Sequence, residues 1–60
     1  MTAEAFNLWI ADRKISKLEA ARQLGLNKNT VTKYCREGGP LWLGLACAAI
    51  SQGLKPWGGE

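Results

Sequence analysis

The side chains with the means to do chemistry in this 60-residue chain are basic and crowded. Seven of its eight Lys and Arg residues, Arg13, Lys14, Lys17, Arg22, Lys28, Lys33 and Arg36, lie between positions 13 and 36, where Glu19 is the single acid. The chain as a whole carries +3, so this segment, with a local excess of six, is more basic than the molecule it belongs to. An ordinary solvated surface mixes the two signs, and a one-sided excess suits a polyanion. Interleaved with the cations are Asn29 and Thr32. Lys can donate to guanine O6 and N7, Asn can pair with adenine through two bonds, and Thr offers a methyl to thymine. Acid–base catalysis has little to work with: there is no histidine, and five scattered carboxylates form no evident pair. No enzyme activity and no small-molecule substrate are expected.

Metal and cofactor chemistry is equally thin. Cys35 and Cys47 are two ligands where a structural zinc needs four, so neither metal nor cofactor is expected. Met1 to Ile10 has no basic leader and contains Glu4, and the longest apolar run, Leu41 to Ile50, falls well short of the roughly 20 residues that span a bilayer. A cytoplasmic location with reduced thiols is expected, the cysteines serving as small buried hydrophobes. The length allows one domain, 1–60, with a small core near the limit of independent stability.

The elements that must position the basic residues read as four short helices, near 2–13, 16–24, 27–37 and 40–52, giving an all-α bundle. Thr2 caps the first, Phe6, Trp9 and Ile10 recur on one stripe, and Arg13 and Lys14 suit its C-terminal dipole. Ser16-Lys17-Leu18-Glu19 reads as a capping box, with the Glu19 carboxylate reaching back to the cap amide and Ile15 and Ala20 at staple positions. Leu18, Ala21 and Leu24 are expected to continue the core face, and Gly25 to stop the helix in a left-handed conformation. Asn27 repeats the cap one residue after Leu26, with Val31 at the next staple position. Gly38 closes that helix, and Pro40 suits the first turn of the fourth, which runs to Gly53 with Gly44 inside it.

At about 100° per residue, with Lys28 at zero, Thr32, Arg36, Asn29 and Lys33 spread over roughly 40° to 140°, while Val31, Tyr34 and Cys35 occupy roughly 240° to 340°. One side of helix 27–37 is thus polar donors and the other is core. Phe6, Trp9 and Tyr34 are expected to be core residues and not stacking platforms.

The stretch Lys17-Leu18-Glu19-Ala20-Ala21-Arg22-Gln23-Leu24-Gly25-Leu26-Asn27-Lys28-Asn29-Thr30-Val31-Thr32-Lys33-Tyr34-Cys35-Arg36-Glu37-Gly38 resembles the Cro and phage-repressor helix-turn-helix family, also described as xenobiotic-response-element-like. The matches fall on small Ala21 between the helices, Gly25 in the turn, Leu26 after it, and Val31 and Tyr34 inside the second helix. The resemblance implies a sequence-specific, double-stranded-DNA-binding transcription regulator of the phage or mobile-element repressor kind, with helix 27–37 in the major groove. It implies Lys28, Asn29, Thr32 and Lys33 as base readers and Lys17, at a helix N-terminus, as a phosphate contact. Arg13, Arg22 and Arg36 are further phosphate candidates. Helix 40–52 is apolar nearly all round, so a second buried surface is expected beyond its own core. In the family, small C-terminal elements often form a dimer, and Leu45, Ile50, Leu54 and Trp57 are the corresponding candidates here. A homodimer on an inverted repeat follows, with residues 54–60 as a tail or part of the contact. Two other readings use the same features: an excisionase-like or MerR-type architectural module, which adds a β-wing for which no alternating pattern is visible, and a protein-interaction module using helix 40–52 and Trp57.

Overall fold

Three of the four helices announce their starts with a side-chain cap. In the computed structural model, which describes residues 1–58, α1 spans Ala3–Arg13, α2 Lys17–Leu24, α3 Lys28–Glu37 and α4 Leu41–Ser51. Thr2, Ser16 and Asn27 accept hydrogen bonds from the amides of Ala5, Glu19 and Thr30 at 3.0, 3.0 and 2.8 Å. Each satisfies an amide that the helix itself leaves without a partner. There is no strand among the described residues. Pro40 sits one position earlier than the sequence suggests, as the extended residue before α4 and not inside its first turn, and it makes no side-chain cap.

The ends of α1 and α2 share one device. Gly25 takes the left-handed conformation at φ +71°, and Leu26 N–H reaches back to the Ala21 carbonyl at 2.9 Å. After α1 the same position is held by Lys14, at φ +57°, with Ile15 N–H bonding the Ile10 carbonyl at 3.4 Å. A β-carbon in that conformation costs about 1–2 kcal/mol. The bonds that close α1 and the burial of Ile15 behind it offset that cost.

The core is Phe6, Ala20, Ala21, Val31, Leu43 and Cys47, with Trp9, Ile10, Ile15, Leu24, Leu26, Tyr34 and Cys35 packed around it. Cys47 is buried as expected, while Cys35 is half-buried; both are free thiols. Ala20 and Ala21 let α2 lie close on its neighbours, and α3 packs against both α1 and α2. Leu18 is a correction: it is 64% exposed and takes no part in the core. At about 100° per residue, Ala20, Ala21 and Leu24 share an arc of about 100°, and Leu18 falls outside it beside Arg22.

Aromatic rings tie the bundle together. Phe6 stacks on Trp9 with centroids 6.0 Å apart, meets Tyr34 edge-on at 6.4 Å, and Tyr34 meets Trp42 edge-on at 6.2 Å. The Trp9 indole N–H donates to Ser51 Oγ at 2.8 Å, joining α1 to the end of α4. Where the chain passes from α3 to α4, Gly39 lies so close to the core that a β-carbon would stand 2.4 Å from Leu43 Cδ2 and 3.3 Å from Tyr34 Cγ. Its amide and carbonyl pair with the carbonyl and amine of Met1 at 2.9 and 3.0 Å. The radius of gyration, 10.7 Å, is close to the roughly 10.4 Å of a fully collapsed chain of this length.

Candidate nucleic-acid interface

Helix α3 is oriented by its inner face. Val31 is fully buried and Tyr34 and Cys35 are half-buried, which fixes the rotation of the helix about its axis. Lys28, Asn29, Thr32, Lys33 and Arg36 are all exposed as a result. From Lys28 to Arg36 the outward arc contains no carboxylate; Glu37 is the first. Asn27 holds the start of the helix in place twice over, since its Oδ1 accepts from the Thr30 hydroxyl at 3.1 Å as well as from the amide. Asn29, Thr32 and Lys33 make no side-chain hydrogen bond among the described residues, so their donors and acceptors face solvent. The arc can offer ammonium donors, a carboxamide and a hydroxyl to the edges of base pairs.

α2 precedes it across the three-residue connection Gly25-Leu26-Asn27, and Lys17 stands exposed at the first position of α2. Glu19 does not reach back to the cap amide as the capping-box pattern suggests. Its carboxylate instead accepts from Arg22 Nε at 3.0 Å, from Arg22 Nη2, and from Gln23 Nε2 at 2.9 Å. Three N–H groups one turn ahead outcompete a single amide behind. Hydrogen bonds from Arg22, then Gln23, hold the Glu19 carboxyl at about 2, far below the usual carboxylate range, and the same pairing raises the Arg22 guanidinium.

The four arginine and lysine candidates for phosphate contact therefore differ. Lys17 forms no ion pair among the described residues, and the same is true of Lys14, Lys28 and Lys33. Arg22 is exposed but shares its charge with Glu19, and Arg36 donates to Glu37 at 2.9 Å, which lowers the Glu37 carboxyl. Arg13 is half-buried, its guanidinium 5.3 Å over the Trp9 ring and donating to Gln23 Oε1 at 3.2 Å, so it serves the α1–α2 contact and does not stand free beside α3.

Two features escaped the sequence reading. An open groove of about 450 Å³ runs between the starts of α2 and α3, lined by Leu18, Glu19, Arg22, Leu26 and Lys28 among others, and the exposed Leu18 is its apolar wall. On the far side of α2, Leu24 faces Ala46, Ala49, Ile50 and Leu54 across a second groove of about 330 Å³. Ile50 lines this groove half-buried, Leu45 and Leu54 are exposed, and Trp57 is fully solvated. Of the tail expected over 54–60, residues 59 and 60 lie outside the described residues. No helix is long and apolar enough to cross a membrane, and no group of three metal-ligating side chains comes together, among the described residues.

No protein-family model, no curated protein and no solved structure matches the chain.

Proposed function

We propose that this chain is a sequence-specific, double-stranded-DNA-binding transcription regulator of the repressor kind, with α3 in the major groove and Lys17 on the phosphate backbone. One observation carries the reading: the outward arc of α3 is an unbroken set of exposed donors, Lys28, Asn29, Thr32, Lys33 and Arg36, on a helix whose opposite face is locked into the core. A merely solvated helix accounts for the polarity but gives no reason for an arc without acids beside a second helix whose N-terminal Lys17 is also unpaired. Lys28, Asn29, Thr32 and Lys33 read bases, Lys17 positions the protein, and Arg22 and Arg36 add longer-range attraction to the backbone.

The regulator acts as a homodimer on an imperfect inverted repeat, with half-site centres about 10 base pairs, or a multiple of that, apart. Selection of bound duplexes from a random pool tests this. An enriched inverted repeat is the expected result, and a bound pool with no sequence preference overturns it. The uncharged outer face of α4 supports a second reading, a protein-interaction module, which would leave the duplex pool unbound.

A further inference from the structure

α4 has more apolar surface than its own fold uses. At about 100° per residue, Leu43, Cys47 and Ile50 share an arc of about 60° toward the core, and Leu41, Leu45 and Ala48 lie opposite, flanked by Trp42 and Ala49. The outward residues are exposed: Leu41 at 78%, Leu45 at 64%, and Trp42 with only one edge against Tyr34. Between Glu37 and Lys55 the chain carries no charge. Side-chain size along this face is ordered, with Leu41 and Trp42 at the N-terminal end, Leu45 in the middle, and Ala48 and Ala49 at the C-terminal end.

We propose that this face is covered by α4 of a second copy, antiparallel across a two-fold axis near Leu45, so that Leu41 and Trp42 of each copy lie over Ala48 and Ala49 of the other. The inference gives the proposed dimer of the DNA-binding reading its geometry, and it is measured without DNA. The order of sizes favours the second copy: reversed upon itself, large side chains meet small ones along the whole contact. A parallel pair sets Trp42 against Trp42 and leaves the alanines facing each other across a gap.

The exposed apolar side chains are concentrated at this end of the molecule. Leu41, Trp42, Leu45, Leu54 and Trp57, five of the seven large hydrophobics left exposed, lie on α4 or just after it. Charge complements this. Two copies at +3 repel each other through α2 and α3, and α4 is the helix on which they meet with no like charges opposed.

Sedimentation equilibrium of the full chain at micromolar concentration should give twice the mass of 6.5 kDa. Leu45→Glu places two like charges at the axis and should raise the dimer dissociation constant by roughly a hundredfold or more. Its circular dichroism should be unchanged, because Leu45 is outside the core. Orientation is read by cross-linking in a Cys35→Ser, Cys47→Ala background checked for folding. Leu45→Cys chains should oxidise to a disulfide dimer by themselves, whereas Leu41→Cys and Ala48→Cys chains should cross-link when mixed and not separately. Should that background not fold, the Leu45→Glu comparison in the native chain decides the contact. A monomer at micromolar concentration, both free and on its selected duplex, overturns the α4 contact while leaving DNA recognition standing. Leu41→Cys chains that cross-link to each other overturn the antiparallel arrangement. A dimer with no selected duplex leaves the contact standing and removes the DNA-binding reading.

Discussion

Two asparagines separated by one residue should behave in opposite ways when replaced. Asn27 accepts from the Thr30 amide and hydroxyl at 2.8 and 3.1 Å and so belongs to the fold, while Asn29 is exposed with no side-chain partner among the described residues and is a proposed base reader. Asn27→Ala removes the cap of α3 and should cost about 1 kcal/mol of stability, within the 0.5–2 kcal/mol range of such losses. In a domain this small that corresponds to a fall in Tm of about 4–8 °C. Asn29→Ala touches nothing and should alter stability by less than about 0.5 kcal/mol. On DNA the order reverses. If Asn29 pairs with adenine as proposed, its loss should cost about 1–3 kcal/mol, or roughly 5- to 150-fold at each half-site, on the selected duplex and little on a scrambled one. Thermal melting by circular dichroism, with fluorescence anisotropy on matched and scrambled duplexes at one salt concentration well below the Tm, separates the two effects. If Asn29→Ala keeps the full ratio of matched to scrambled affinity while remaining folded, Asn29 is not a reader. If Asn27→Ala also shows no change in Tm, the account of how α3 is anchored fails as well.

Lys17→Ala should weaken matched and scrambled duplexes by similar factors and reduce the slope of log K against log salt by about 0.9 per protomer, read from titrations at several ionic strengths. Because the folded Glu19 carboxyl sits at about 2 against an ordinary 4.5, the stability it provides is complete above pH 4.5 and disappears as pH falls toward 2; urea melts across that window should show a smaller decline in Glu19→Gln. Gly39→Ala forces a methyl against buried Leu43 and Tyr34 and should destabilise by about 1–3 kcal/mol in denaturant melts, an unchanged midpoint refuting the close approach. Burial pushes the Cys47 thiol up to about 11, with Arg13 opposing it weakly, so alkylation near neutral pH followed by mass spectrometry should label Cys35 first and Cys47 only on unfolding.

Much of the fold was legible because the caps are local. Ser16 and Asn27 sit immediately before their helices, and a side-chain oxygen three residues from an orphan amide is a relation that spacing alone reveals. The outward arc of α3 was legible for a similar reason, since helical periodicity fixes which residues oppose Val31. Lys14 was not. No sequence rule expects a lysine in the left-handed region, and it stands there because Ile15 must turn inward one residue later. Leu18 stands outside the core because apolarity alone does not decide inwardness, and the course of Glu19 depends on Arg22 and Gln23 competing for it. The sorting of the basic residues into those paired within the fold, Arg13, Arg22 and Arg36, and those with no ion pair among the described residues, Lys14, Lys17, Lys28 and Lys33, depends on tertiary contacts and specific rotamers. Composition gives only their sum.

The rings of Trp9, Phe6, Tyr34 and Trp42 have an optical consequence. Tyr34 is anchored on the inner side of α3 and holds Trp42 at 6.2 Å, well inside the range over which tyrosine passes its excitation to tryptophan. Excited at a tyrosine wavelength, the chain should emit almost entirely as tryptophan while α3 and α4 remain packed, and tyrosine emission should emerge when they part. Fixed rings at such separations also give near-ultraviolet dichroism that vanishes when side chains lose their places, even where helicity survives. The interior beneath α3 therefore supplies its own unlabelled probe, able to distinguish a displaced helix from one whose outer face has only been covered.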